Sequence, residues 1–166
     1  MTKSVLVIDD DPRICQLICR GFEQKGYSVF QASNGRAGLK IFHAEQPDLV
    51  ITDILMPEME GIETIMQLRS AAWTPKIIAI SGGGRLVGRE FLKWARHLGA
   101  DEVLAKPFRV SALVGLAAEL TRTKDGGAPS PTAHVAPLQN ALRLTSEAIA
   151  GTWESMLDSH NSYATA

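Results

Sequence analysis

Hydrophobic residues fall along this chain in two alternating patterns. Short, nearly continuous apolar runs predict buried strands at Ser4–Ile8, Ser28–Ala32, Leu49–Thr52, Lys76–Ile80 and Glu102–Ala105. Between them, apolar residues recur at the three- and four-residue spacing that keeps side chains on one helix face. The first helix opens at Pro12, where a missing N–H is tolerated, with Asp11 as its N-cap and Gly26 as its stop. Its apolar stripe reads Ile14, Leu17, Ile18, Gly21 and Phe22. A second helix is expected over about 35–44, and Gln46-Pro47-Asp48 turns from it into the third strand. A third, over about 59–71, would bury Ile62, Ile65, Met66 and the stem of Arg69. The fourth, over about 89–98, shows Phe91, Leu92, Ala95 and Leu98 on one face, and Gly99 ends it. The fifth, Val110 to Arg122, shows Leu113, Leu116, Ala117 and Leu120.

Alternation of this kind is the pattern of a parallel sheet covered by helices, and strands apolar on both faces are what such a sheet buries. The expected fold is α/β, a doubly wound five-stranded parallel sheet in the flavodoxin-like order 2-1-3-4-5. The strands and their helices fill residues 1–122. A Gly/Pro/Ser-rich linker is expected over 123–137, and 138–166 reads as a short helical tail with Leu138, Leu142, Ile149, Trp153 and Leu157 near one stripe. That tail is short for an output domain with its own core, and holds no basic recognition helix.

Composition changes this picture little. The 166 residues are 45% hydrophobic and 21% charged, with a net charge of −1, so charge alone argues for neither nucleic acid nor an anionic membrane as partner. No apolar stretch approaches the roughly 18–20 residues of a membrane span. The N-terminus runs directly into a strand and leaves no room for a signal peptide, so a cytoplasmic protein is expected. Cys15 and Cys19, four apart on one helix, read as reduced structural thiols on its flank.

The chemistry lies at the ends of the runs. Asp9 and Asp10 close the first, Asp53 the third, Ser81 the fourth and Lys106 the fifth. In a parallel sheet these ends share one edge, and in the expected order the crevice where strand order reverses lies between strands 1 and 3. Three carboxylates gathered there repel one another unless a cation joins them. Oxygen ligands without His or Cys favour Mg²⁺ or Mn²⁺. A carboxylate so placed can attack phosphorus and form an acyl phosphate, whose oxygens a metal, an ammonium and a hydroxyl would hold. Asp53, Lys106 and Ser81 supply that set.

These blocks resemble the receiver domain of two-component response regulators. The matching residues are Asp9-Asp10, the run from Asp53 through Met56-Pro57 to Gly61, Ser81 and Lys106-Pro107-Phe108, and the resemblance covers roughly 3–122. It implies that Asp53 accepts a phosphoryl group from a histidine kinase or histidine phosphotransfer protein. It also implies that Asp10 and Asp53 bind Mg²⁺ directly and Asp9 through water, with the Leu55 backbone carbonyl completing the protein ligands. Lys106 would pair with the phosphoryl group, and the Lys106–Pro107 bond would be cis. The chain is thus expected to be a stand-alone phosphoacceptor rather than an enzyme, its chemistry limited to its own phosphorylation and dephosphorylation. Its output would pass to a partner protein through the fourth helix, fifth strand and fifth helix.

Two positions depart from the family pattern. Val103 occupies the place of an aromatic residue that in many receivers rotates inward on phosphorylation. Gly82-Gly83-Gly84 after Ser81 leaves the phosphoryl group open to water, which points to a short-lived adduct. Arg85, Arg89, Lys93, Arg96 and His97 form a basic streak around the fourth helix, with Trp94 on its flank. A receiver-like module without phosphate would lack one of the acids or the lysine, and all are present. An aspartyl-phosphate phosphatase needs an acid two residues beyond the nucleophile, where this chain has Leu55. A transcription factor needs a DNA-binding domain, and no nucleic-acid partner is expected.

Overall fold

The computed structural model describes residues 2–56, 61–82 and 87–122, with the backbone alone for 87–91. Strands and helices alternate strictly: β1 (Ser4–Ile8), α1 (Pro12–Glu23), β2 (Ser28–Ala32), α2 (Gly35–Glu45), β3 (Leu49–Asp53), α3 (Gly61–Ser70), β4 (Lys76–Ser81), α4 (Val87–His97), β5 (Glu102–Ala105) and α5 (Val110–Arg122). All neighbouring strands are parallel and the order is β2-β1-β3-β4-β5, as the alternation predicts. α1 packs on α5, while α2 meets α3 and α3 meets α4, so helices cover both faces of the sheet. The expected linker and tail lie outside the described residues. Among those residues no helix is long and apolar enough to cross a membrane.

Sheet position explains burial. Val5–Ile8, Leu49–Ile51 and Ile77–Ile80 are fully buried, because β1, β3 and β4 have a strand on each side and helices above and below. Each such side chain contributes about 1.5–3 kcal/mol by leaving water. β2 and β5, at the edges, are only partly covered. Asp48 ties the far end of the sheet by accepting from the Ser4 N–H and hydroxyl, at 2.9 and 3.1 Å.

The helices begin where local chemistry directs. Asp11 caps α1 by accepting from Arg13 N at 2.9 Å, and Asn34 caps α2 by accepting from Ala37 N at 2.8 Å. α1 ends at Glu23, three residues before the glycine expected to stop it. Gly26 instead takes the left-handed conformation in the turn into β2. Three helices show a different face from the one expected. α1 buries Cys15, Ile18, Cys19 and Phe22, and Leu17 is 59% exposed. The cysteines therefore belong to the core rather than to a flank. α3 buries Gly61, Thr64, Ile65 and Leu68, leaving Ile62 and Met66 half-buried. α5 buries Leu113, Val114, Ala117 and Thr121, with Leu116 and Leu120 packed at its margin. In each case small or weakly polar residues (Cys15 and Cys19, Thr64, Ala117 and Thr121) take buried places in the stripe.

Candidate functional site

β1 and β3 are adjacent, with Ile8 opposite Thr52, so both strands deliver their acids to the same end of the sheet. Carboxylate oxygens of Asp9, Asp10 and Asp53 lie within 4.8 Å of one another. Asp9 and Asp53 are buried, at 1% and 5% exposure, and Asp10 faces solvent. β3 and β4 each run one residue further than the apolar pattern predicts. Asp53 and Ser81 thus belong to the ladder itself, with Asp53 opposite Ile80 and Ser81 opposite Ala105. That register sets Ser81 one step past Asp53 on the neighbouring strand and Lys106 one step past Ser81.

Lys106 joins the two buried acids. Its Nζ donates to Asp9 Oδ2 at 2.8 Å and to Asp53 Oδ2 at 2.5 Å. The Lys106 N–H also donates to the Ser81 carbonyl, at 2.8 Å, and the Lys106–Pro107 bond is cis. Backbone donors fix the acids from the other side: Asp11 N–H reaches Asp9 Oδ1 at 2.9 Å and Leu55 N–H reaches Asp53 Oδ1 at 3.1 Å. Burial raises the Asp53 carboxyl above its ordinary pKa, against the pull of the Lys106 ammonium and the Leu55 N–H. For Lys106 burial acts to lower the pKa, but the hydrogen bonds and charges of Asp53 and Asp9 outweigh it, and the net shift is upward. The lysine is firmly charged, and three carboxylates against one ammonium leave the crevice negative.

Two observations bear on what this crevice accommodates. Its donor set is all oxygen and carries excess negative charge, which suits a hard divalent cation such as Mg²⁺. In addition, Ser81 Oγ is buried and has no hydrogen-bond partner among the described residues. A buried hydroxyl in that state is a poor structural element but is available to a polar group entering the crevice.

The motif after Asp53 ends in a glycine that packs against the end of β3. Gly61 opens α3 with its N–H on the Ile54 carbonyl at 3.0 Å, close against the backbone of the acid-bearing strand. A second unforeseen element is Arg69, which donates to Gly99 O at 2.7 Å, Pro75 O at 2.8 Å and Asp101 Oδ2 at 2.5 Å. Lys76 reaches the same carboxylate at 2.9 Å. This cluster fixes the turns on either side of β4 and α4 and takes no part in the crevice. Of the basic streak on α4, Lys93, Arg96 and His97 are exposed, with Arg96 paired to Glu102 at 2.5 Å, and Trp94 is 36% exposed. Arg85 and the side chain of Arg89 lie outside the described residues, as do Gly83 and Gly84.

Residues 5–118 match the family model described as the response regulator receiver domain. The chain belongs to that family. It is 34% identical over 131 residues to the alkaline phosphatase synthesis transcriptional regulatory protein PhoP of Bacillus subtilis, a match covering 78% of this chain and 53% of that protein. It is 33% identical over 113 residues to sporulation initiation phosphotransferase F of the same organism, covering 68% of this chain and 89% of the relative. A solved receiver domain described as CheY-like, from Methanospirillum hungatei, superposes with a TM-score of 0.69 at 28% identity, over 76% of this chain and all of that one. The chain spans about half the length of several curated relatives it matches. Several of those are named as transcriptional regulators, so the expectation of no nucleic-acid partner has no support from them.

Receiver domains are signalling phosphoacceptors that bind Mg²⁺ at an acidic site and take their phosphoryl group from histidine kinases or phosphotransfer proteins. The buried acids of this chain are compatible with both roles.

Proposed function

We propose that Asp53 is the phosphoacceptor and that this chain works as a single-receiver response regulator, its receiver spanning 1–122. The observation that carries the reading is the buried Asp53 carboxylate, held by Lys106 beside a buried Ser81 hydroxyl that has no partner among the described residues. Asp9, Asp10, Asp53 and the Leu55 backbone carbonyl would hold Mg²⁺, which when bound neutralises charge on the acids and on the incoming phosphoryl oxygens. The Lys106 ammonium shifts from sharing Asp53 to pairing with a phosphoryl oxygen, and the Ser81 hydroxyl takes another.

The donor is a histidine kinase or a histidine phosphotransfer protein. Because Lys106 N–H is bonded to the Ser81 carbonyl, movement of either residue is passed between β4 and β5 and on to α4. The surface of α4, β5 and α5 then presents a changed face to an output partner. Val103 in β5 is half-buried and too small to act as a rotating aromatic, so the change is carried by the backbone after Ser81. The extensive overlap with sporulation initiation phosphotransferase F supports the single-receiver reading. A second reading, a receiver that controls an attached DNA-binding domain, is favoured by the names of the half-covered relatives.

The test is intact-mass analysis after incubation with Mg²⁺ and acetyl phosphate, beside Asp53→Ala. A gain of about 80 Da that needs Mg²⁺ and is absent from the variant is expected. No adduct, with beryllofluoride also leaving the protein unperturbed, would overturn the proposal.

A further inference from the structure

Among the described residues β2 is an edge strand whose only partner is β1. Ser28 N–H donates to Lys3 O and Asp9 N–H donates to Ala32 O, so Ser28 and Ala32 direct their backbone groups inward to β1. In a parallel ladder the backbone direction alternates, which turns the N–H and C=O of Val29 and Gln31 outward to the open edge. The strand itself, Ser28-Val29-Phe30-Gln31-Ala32, contains no charge and no proline, the devices that ordinarily protect such an edge.

The side chains divide just as regularly. Gln31 faces α1, where its Oε1 meets the Cys15 and Cys19 thiols at 3.8 and 3.9 Å, and Val29 packs into the same cluster. Phe30 therefore lies on the α2 side. There it lines an open groove of about 460 Å³ together with Ile41, Lys40 and Glu45 of α2. Lys40 and Glu45 are both exposed, one near the middle of α2 and one at its last residue.

We propose that this edge docks a second copy of the chain, with the two β2 strands antiparallel about a two-fold axis through Phe30. The pattern is self-complementary at three levels. Val29 of one copy exchanges both backbone hydrogen bonds with Gln31 of the second copy, and Gln31 with Val29, so every outward group finds a partner. Phe30 meets Phe30 of the second copy across the axis, at the closely spaced position where aromatic pairs stabilise a sheet. α2 runs back against the direction of β2, and the two-fold inverts that order, so Lys40 faces Glu45 of the second copy. The joint is small beside a standard interface, so the dimer is weak and concentration-dependent. It does not depend on the phosphoryl chemistry.

Sedimentation of the full chain from micromolar to millimolar concentration, without phosphodonor, is expected to show a monomer–dimer equilibrium. Lys40→Glu, an exposed change that spares the fold, sets like charges across the axis and weakens dimerisation about tenfold or more. The swap Lys40→Glu with Glu45→Lys restores it. Amide exchange then gives a residue-level reading: Val29 and Gln31 gain protection as concentration rises, while Phe30 is protected throughout. A protein monomeric over the whole range, a dimer indifferent to Lys40→Glu, or Val29 and Gln31 amides open in the dimer would each overturn the proposal. Capture of an extended peptide by a monomer indifferent to concentration would assign the edge to a different occupant.

Discussion

A methyl group added to Gly61 would lie 1.9 Å from the carbonyl oxygen of Asp53 and 2.6 Å from Ile54 Cα. Both are backbone atoms of the strand end that carries the acid, with no flexible side chain to yield. Gly61→Ala therefore displaces either α3 or Asp53, and is expected to lower stability by about 1–3 kcal/mol. Thermal unfolding reads the first effect and the rate of adduct formation with acetyl phosphate reads the second. A variant with unaltered melting and unaltered phosphorylation would contradict this contact.

Ser81 separates stability from chemistry. Its buried hydroxyl has no partner among the described residues, so Ser81→Ala leaves stability unchanged or raises it by up to about 1 kcal/mol. In the proposed role of Ser81 the same change removes a contact to the phosphoryl group, and it is expected to slow phosphorylation on the order of tenfold or more. Denaturant melts and time-resolved intact mass, run side by side, check the two halves. A destabilised variant would mean that the hydroxyl is already satisfied.

Asp101 governs acid sensitivity away from the crevice. Burial acts to raise its carboxyl, but the Lys76 ammonium, the Ile77 N–H and Arg69 outweigh it and hold the pKa below the ordinary 3.8. As pH falls the unfolded chain takes up this proton first, so the contribution is full above about pH 5 and is lost through the range below 3.8. Asp101→Asn is expected to remove about 2–3 kcal/mol at neutral pH, a loss that narrows in acid. Urea titrations at pH 7 and pH 3 measure both.

The Cys15 thiol is expected to be inert. Contact with Cys19, then burial, push the Cys15 thiol well above the ordinary cysteine range. In the folded protein Cys15 should react with a disulfide reagent at least ~100-fold more slowly than in urea. Fast labelling of native Cys15 would show that α1 opens locally.

How far the sequence could be read depended on how local each cause was. Asp11 and Asn34 act within three residues, and the cap at Asp11 was visible in the chain. The strands were visible because their apolar character is continuous. Asp53 and Ser81 were placed just past the ends of their strands because they are polar, although each still pairs in the ladder. Helix faces were harder, since Thr64, Thr121 and the cysteines occupy positions where larger apolar residues were expected. The stem of Arg69 was expected to be buried, but nothing in the chain marked the hydrogen bonds of its guanidinium. Its partner Asp101 lies 32 residues away, and only the finished fold brings them together.

The position of β1 between β2 and β3 has a consequence for how the molecule comes apart. β1 is bonded on one side to the strand that follows it directly and on the other to a strand separated from it by two helices. The sheet thus has a seam between β1 and β3, with Asp9 on one lip and Asp53 on the other. Any opening that parts the seam also separates the two acids, so the crevice lasts only as long as β1 and β3 stay paired.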